Sequence, residues 1–120
     1  MTSRTRTTSS GVDLAALKSA AFDLSPEPAM VIDREGALIA VNEAAEALFG
    51  QGLGLLARGR FGAALPPGSP LVALLTRALD EGALVRERGV AINLFGLPPF
   101  EADGAAAPLN DGSVLLTLHV

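Results

Sequence analysis

The stretch Ser25–Gly50, SPEPAMVIDREGALIAVNEAAEALFG, decides the fold. Two short apolar runs, Ala29–Asp33 (AMVID) and Ala37–Asn42 (ALIAVN), flank Asp33-Arg34-Glu35-Gly36. Asp suits the first position of a tight turn and Gly the last, so the pattern predicts a β-hairpin. Asn42 stands directly before Glu43–Phe49 (EAAEALF), a run of strong helix formers that stops at Gly50. Asn is a preferred N-cap, its side-chain oxygen meeting the free amide of Ala44 or Ala45. Glu43 adds favourable charge at the positive helix end, and Gly50 supplies a left-handed stop. Before the hairpin, Ser25-Pro26-Glu27-Pro28 ends any preceding helix, because proline breaks the hydrogen-bond ladder and pushes its predecessor into extended geometry.

Working outward toward the N-terminus, Leu14, Leu17, Ala21 and Leu24 recur at three- and four-residue spacing, which predicts an amphipathic helix over 11–24. Ser10 followed by Asp13 resembles a capping box. The apolar stripe is narrow, so this helix must lean on the domain or on a copy of itself. Residues 1–10 (MTSRTRTTSS) read as a disordered tail and hold no apolar segment of the secretory kind.

Toward the C-terminus, 51–69 is less regular. Leu53, Leu55 and Leu56 are expected in a short helical turn, followed by a loop over Ala64–Ser69. Ser69-Pro70 opens a helix striped by Leu71, Val72, Leu74, Leu75, Ala78 and Leu79, and Gly82 closes it. Val90, Ile92 and Leu94 alternate with Ala91, Asn93 and Phe95 as a strand does. A weaker strand is expected from Phe100 to about Ala106, and Asn110-Asp111-Gly112 marks a hairpin turn. In the final run, Ser113–Val120, the core set is Val114, Leu116, Leu118 and Val120, with Leu115, Thr117 and His119 opposite. The order helix, β, β, helix, short helical pieces, helix, β, β, β defines an α+β chain.

That order resembles the PAS sensor domain. The opening of Ser25–Gly50 is similar to the family's first strand ending in Asp, its turn with Gly, its second strand ending in Asn and its Ala-rich helix. The closing NDGSVLLTLHV resembles the family's last hairpin. The resemblance spans about residues 14–120 and implies a five-stranded antiparallel sheet with helices on one face, occupying 25–120 behind the N-terminal helix. Within the family, the GSPLVALLTRALDEG helix before a charged strand is similar to the amino-terminal sensor domains of nitrogen-regulation histidine kinases. That likeness implies a cytoplasmic signalling module of a two-component system. It also implies downstream kinase domains beyond Val120, a dimerisation helix with a phosphorylated His and an ATP-binding domain.

Composition narrows the chemistry. A chain of 120 residues holds one domain with a single core. With no cysteine, disulfides and thiolate metal sites are excluded, as are the flavin-adduct and thioester chemistries of photosensory PAS relatives. Five Phe without Trp or Tyr leave few planes for stacking a flavin or a base. His119 is the lone imidazole; haem-binding relatives place theirs on a long helix, whereas this one falls in the last strand and reads as a surface residue. Thirteen acidic against nine basic residues, net −4, disfavour nucleic acid and anionic membrane. Gly50-Gln51-Gly52-Leu53-Gly54 follows a helix, not a strand, so it is a connector rather than a phosphate loop. Arg58 and Arg60 read as solvated, and Arg86-Glu87-Arg88 marks an exposed strand face. No catalytic pair or metal set converges; the domain is expected to be no enzyme and to carry no cofactor.

Two interaction sites remain. Leu14, Leu17 and Ala21 on the first helix, with Phe95 and Leu115 on the second sheet face, form a surface that a homodimer would cover. Leu48, Phe49, Leu55, Phe61, Leu75, Ile92 and Leu116 could instead line a pocket for a small apolar ligand. Asn42 and Asp33 either hold the helices that line such a pocket or simply cap a helix and shape a turn.

Overall fold

The computed structural model describes residues 14–50, 65, 68–93 and 98–120, without the side chain of Leu14. The expected tail over 1–10, the start of the first helix, the helical turn with Leu53, Leu55 and Leu56, and Leu94 and Phe95 lie outside the described residues.

Helix α1 (Leu14–Leu24) leads into β1 (Ala29–Ile32) and β2 (Leu38–Val41), followed by α2 (Glu43–Phe49) and α3 (Pro70–Glu81). The last third is β3 (Val85–Ile92), β4 (Phe100–Pro108) and β5 (Val114–His119). The five strands form one sheet in the order β2-β1-β5-β4-β3, with every neighbouring pair antiparallel. The first and last strands thus lie side by side inside the sheet.

Local chemistry explains the hairpin. Asp33 Oδ1 accepts the amides of Glu35 (2.9 Å) and Ala37 (2.8 Å), and Gly36 takes the positive φ (86°) that the turn requires. The register Val31↔Ala40 then Ile32↔Leu38 skips Ile39, which the resulting bulge leaves exposed on the edge strand. Ser69 caps α3 through its side-chain oxygen, and Gly82 ends it in the left-handed conformation.

The inward row Met30–Leu116–Ala106–Val85 crosses four strands in register, and Val90, Ile92, Ala102 and Leu118 extend it. Leu71, Leu74, Leu75 and Ala78 of α3 close over this row. Gly104, in the middle of β4, permits the approach: a Cβ built there would stand 2.8 Å from Leu74 Cδ2.

The third strand runs from Val85 through Arg86-Glu87-Arg88, which are exposed as expected, and Glu87 meets Arg77 of α3. A bulge at Gly89 (φ 61°) interrupts the alternation there. Two expectations, for Val120 and Leu79, need correction. The last strand ends at His119, and Val120 is 68% exposed rather than in the core set. Leu79 lies outside the buried stripe of α3. Of the two supports expected for the α1 stripe, its described residues Leu17, Ala21 and Leu24 do not use the domain but face solvent, and Phe22, outside that stripe, is the half-buried contact. Among the described residues no helix is long and apolar enough to cross a membrane.

Candidate functional site

Among the described residues, the most connected polar side chain sits where α1, β1 and α2 meet. Asn42 is 1% exposed and makes four side-chain hydrogen bonds. Its Oδ1 accepts the amides of Ala45, as the N-cap of α2, and of Ala29, at the start of β1, each at 2.9 Å. Its Nδ2 donates to the carbonyls of Glu27 (2.9 Å) and Phe22 (3.0 Å). A carboxamide has one acceptor oxygen with two lone pairs and two N–H donors, so every site of the group is used. The cap was legible in the sequence; the two donated bonds were not, because their acceptors lie 15 and 20 residues upstream.

The same corner gathers the last strand. Leu118 donates its amide to Pro28 O (3.0 Å), and His119 Nδ1 lies 2.9 Å from Glu27 Oε2. This pair is largely exposed, so it contributes at most about 1 kcal/mol. His119 is therefore a surface residue of β5. An apolar groove between Pro26, Pro28, Ala44, Ala47, Leu48 and Val120 runs along this corner.

Above the junction, α1 presents its predicted stripe outward. Leu17 is 55% and Leu24 81% exposed, and Ala21 is exposed too. The outer face of the sheet divides in two. Val31, Leu115 and Ala107 form one apolar row across β1, β5 and β4. Next to it, an open groove of about 450 Å³ is walled by Glu27, Arg86, Arg88, Asp103 and His119 over a floor of Ala105 and Thr117. Of the expected interface residues, Leu17 and Ala21 share a helix face, while Leu115 is half-buried on the sheet. Phe95 and the side chain of Leu14 lie outside the described residues.

The expected pocket residues are brought together where they are described. Phe49, Leu75, Ile92 and Leu116 belong to one buried cluster, with Leu48 packed against it. Phe49 meets Phe100 ring to ring at 6.2 Å between centroids, tilted by 56°. Leu55 and Phe61 lie outside the described residues. Among the described residues, no group of three or more His, Asp or Glu side chains could hold a metal ion.

At the far hairpin, Asp111 takes the Ser113 hydroxyl and amide on its carboxylate, which holds the carboxyl below its ordinary range. Arg34 reaches from the first turn to Asp111 O (2.8 Å), fastening the two turns together.

The comparisons with known proteins agree with this geometry. The sequence model of a family described as PAS domain matches residues 16–87. No curated protein matches the chain. A domain of a sensory box sensor histidine kinase/response regulator from Geobacter sulfurreducens is similar in structure. It is 21% identical with a TM-score of 0.70, the match covering 89% of this chain and 94% of that one. The PAS domain of nitrogen regulation protein NR(II) from Vibrio parahaemolyticus is 23% identical with a TM-score of 0.69, over 86% and 96% of the two chains. The E. coli DhaR(N)–DhaL complex contains a further likeness, 17% identical with a TM-score of 0.64, over 89% of this chain and 36% of that one.

Proposed function

The chain belongs to the PAS domain family, and from that premise we propose that it is a signalling module that works by protein contact rather than chemistry. It self-associates through the Leu17–Ala21–Leu24 face of α1 and the Val31–Leu115–Ala107 row, and it passes a change in packing to kinase domains of a larger protein. The setting is a cytoplasmic two-component histidine kinase of the nitrogen-regulation type, a reading supported by the likeness to the NR(II) domain. The similar domain in a two-protein complex, DhaR(N)–DhaL, supports protein contact as the mode of action.

The observation that carries this reading is the outward stripe of α1. Two leucines more than half exposed on an eleven-residue helix leave apolar surface in water that a second copy would remove from it. Light scattering tests it: the native chain runs as a dimer at high concentration, and Leu17→Glu shifts it toward monomer. A native chain that stays monomeric overturns the reading.

A receptor for a small apolar ligand is the second reading, supported by the gathering of Phe49, Leu75, Ile92 and Leu116 in one cluster. It predicts that Ile92→Ala, which opens space there, changes a ligand-induced rise in melting temperature; a panel of small apolar compounds that never raises it removes this reading.

A further inference from the structure

We propose that Asn42 is a split anchor: its carboxamide oxygen holds the domain together, and its nitrogen holds α1 to the domain. The inference deepens the self-association reading, on which its signalling consequence rests, because α1 carries the exposed leucines.

The two halves of the group face different bodies. Oδ1 accepts from Ala29 N in β1 and Ala45 N in α2, both parts of the folded unit. Nδ2 donates to Phe22 O, in the last turn of α1, and to Glu27 O, in the segment joining α1 to β1. Carbonyls in the last turn of a helix have no partner within it. No basic residue stands in that turn of α1, and Ser25-Pro26 follows where a glycine cap would. Asn42 therefore caps two helices at once, the N-terminus of α2 with its oxygen and the C-terminus of α1 with its nitrogen.

The amide cannot be reversed. Turning it over would set its N–H groups against two amide donors and its oxygen against two carbonyls. Asp, Ser or Thr would serve α2 as a cap, but none of them in its usual state brings two N–H donors alongside the acceptor. Asn42→Asp keeps both accepted bonds and opposes a carboxylate to the carbonyls of Phe22 and Glu27. Asn42→Ser keeps a cap oxygen, removes the nitrogen and adds no charge. Phe22 is half-buried and the other described side chains of α1 are exposed, so little side-chain packing replaces the lost bonds.

Hydrogen exchange on the full chain, read by mass spectrometry, tests the anchor in the native protein and both variants. The expected result is exchange at least about fivefold faster across Leu17–Leu24, the effect of losing two net hydrogen bonds, with β1, α2 and β5 changed less than about threefold. Unchanged α1 exchange in both variants overturns the proposal. So does acceleration of α1 and the sheet together, which would make Asn42 an ordinary structural residue. If only Asn42→Asp fails to fold, Asn42→Ser decides. Repeating the comparison in a Leu17→Glu background separates the two ideas. A split anchor within one chain still frees α1 there, whereas a failed self-association reading shows in light scattering alone.

Discussion

Single residues set the geometry at two places away from the junction. Gly104 fixes how near α3 comes to the sheet, since any Cβ there crowds Leu74. Gly104→Val is expected to lower stability by about 1–3 kcal/mol in urea unfolding, with Gly104→Ala milder because the obstruction is the far end of a leucine. An unchanged midpoint for the valine variant would contradict this packing. Asp111 sets a pH dependence. Its folded carboxyl is held below the ordinary 3.8 by the Ser113 hydroxyl first and the Ser113 amide second. A lowered folded pKa stabilises fully above the unfolded value and is lost as pH falls through the folded one. The difference in melting temperature between the native chain and Asp111→Asn is therefore constant above about pH 5 and narrows below 3.8. A difference that does not change with pH contradicts it. Neither residue was readable as special from its neighbours alone. Asn-Asp-Gly announces a turn, but a mid-strand glycine tells nothing about which helix lies over it.

At the scale of elements, legibility followed the strength of local cues. The first hairpin, α2 and α3 carry their own stops and caps, so Asp33, Asn42, Ser69 and Gly82 each stand where the sequence placed them. Gly50 ends α2 at φ 50° and ψ −122° rather than in the expected left-handed helical conformation. Arg86-Glu87-Arg88 lies on an exposed stretch of β3 as read, but the Gly89 bulge that shifts the alternation between it and Val90 carried no sequence cue beyond the glycine itself. The stripe of α1 was readable, yet its direction was not: period gives a face, and only tertiary packing says what the face meets. Packing and charge separate within α3. Leu74→Ala should cost about 2–5 kcal/mol, since Leu74 is buried under Gly104 and the sheet. Arg77→Ala should cost less than about 1 kcal/mol, because both its ion pairs are half-exposed. Thermal or urea unfolding that reverses this order would show that charge, not burial, fastens α3.

For the molecule as a whole, alternation identified the inward residues, but not which strand neighbours which. The resemblance implied a five-stranded antiparallel sheet, whereas its order, with β1 beside β5, is seen only in the structure. That pairing brings the end of β5 beside Glu27 and the Asn42 junction, so the linker after α1 and the last strand share one corner. The segment after α1 is joined to β5 at Pro28, whose carbonyl takes the Leu118 amide. The pocket set was legible as core, and its described members do pack as one cluster. The proposed dimer surface was legible only as apolar excess.

Self-association through the outward stripe of α1 is the claim on which the functional account turns, and the absence of native cysteine makes a direct measurement simple. A single thiol is introduced by Ala21→Cys on the stripe or by Ser19→Cys about 200° around the helix from it. Under mild oxidation, Ala21→Cys is expected to yield a disulfide-linked dimer rapidly and Ser19→Cys slowly. Equal yields from the two, or none from Ala21→Cys, would contradict an interface built on that face.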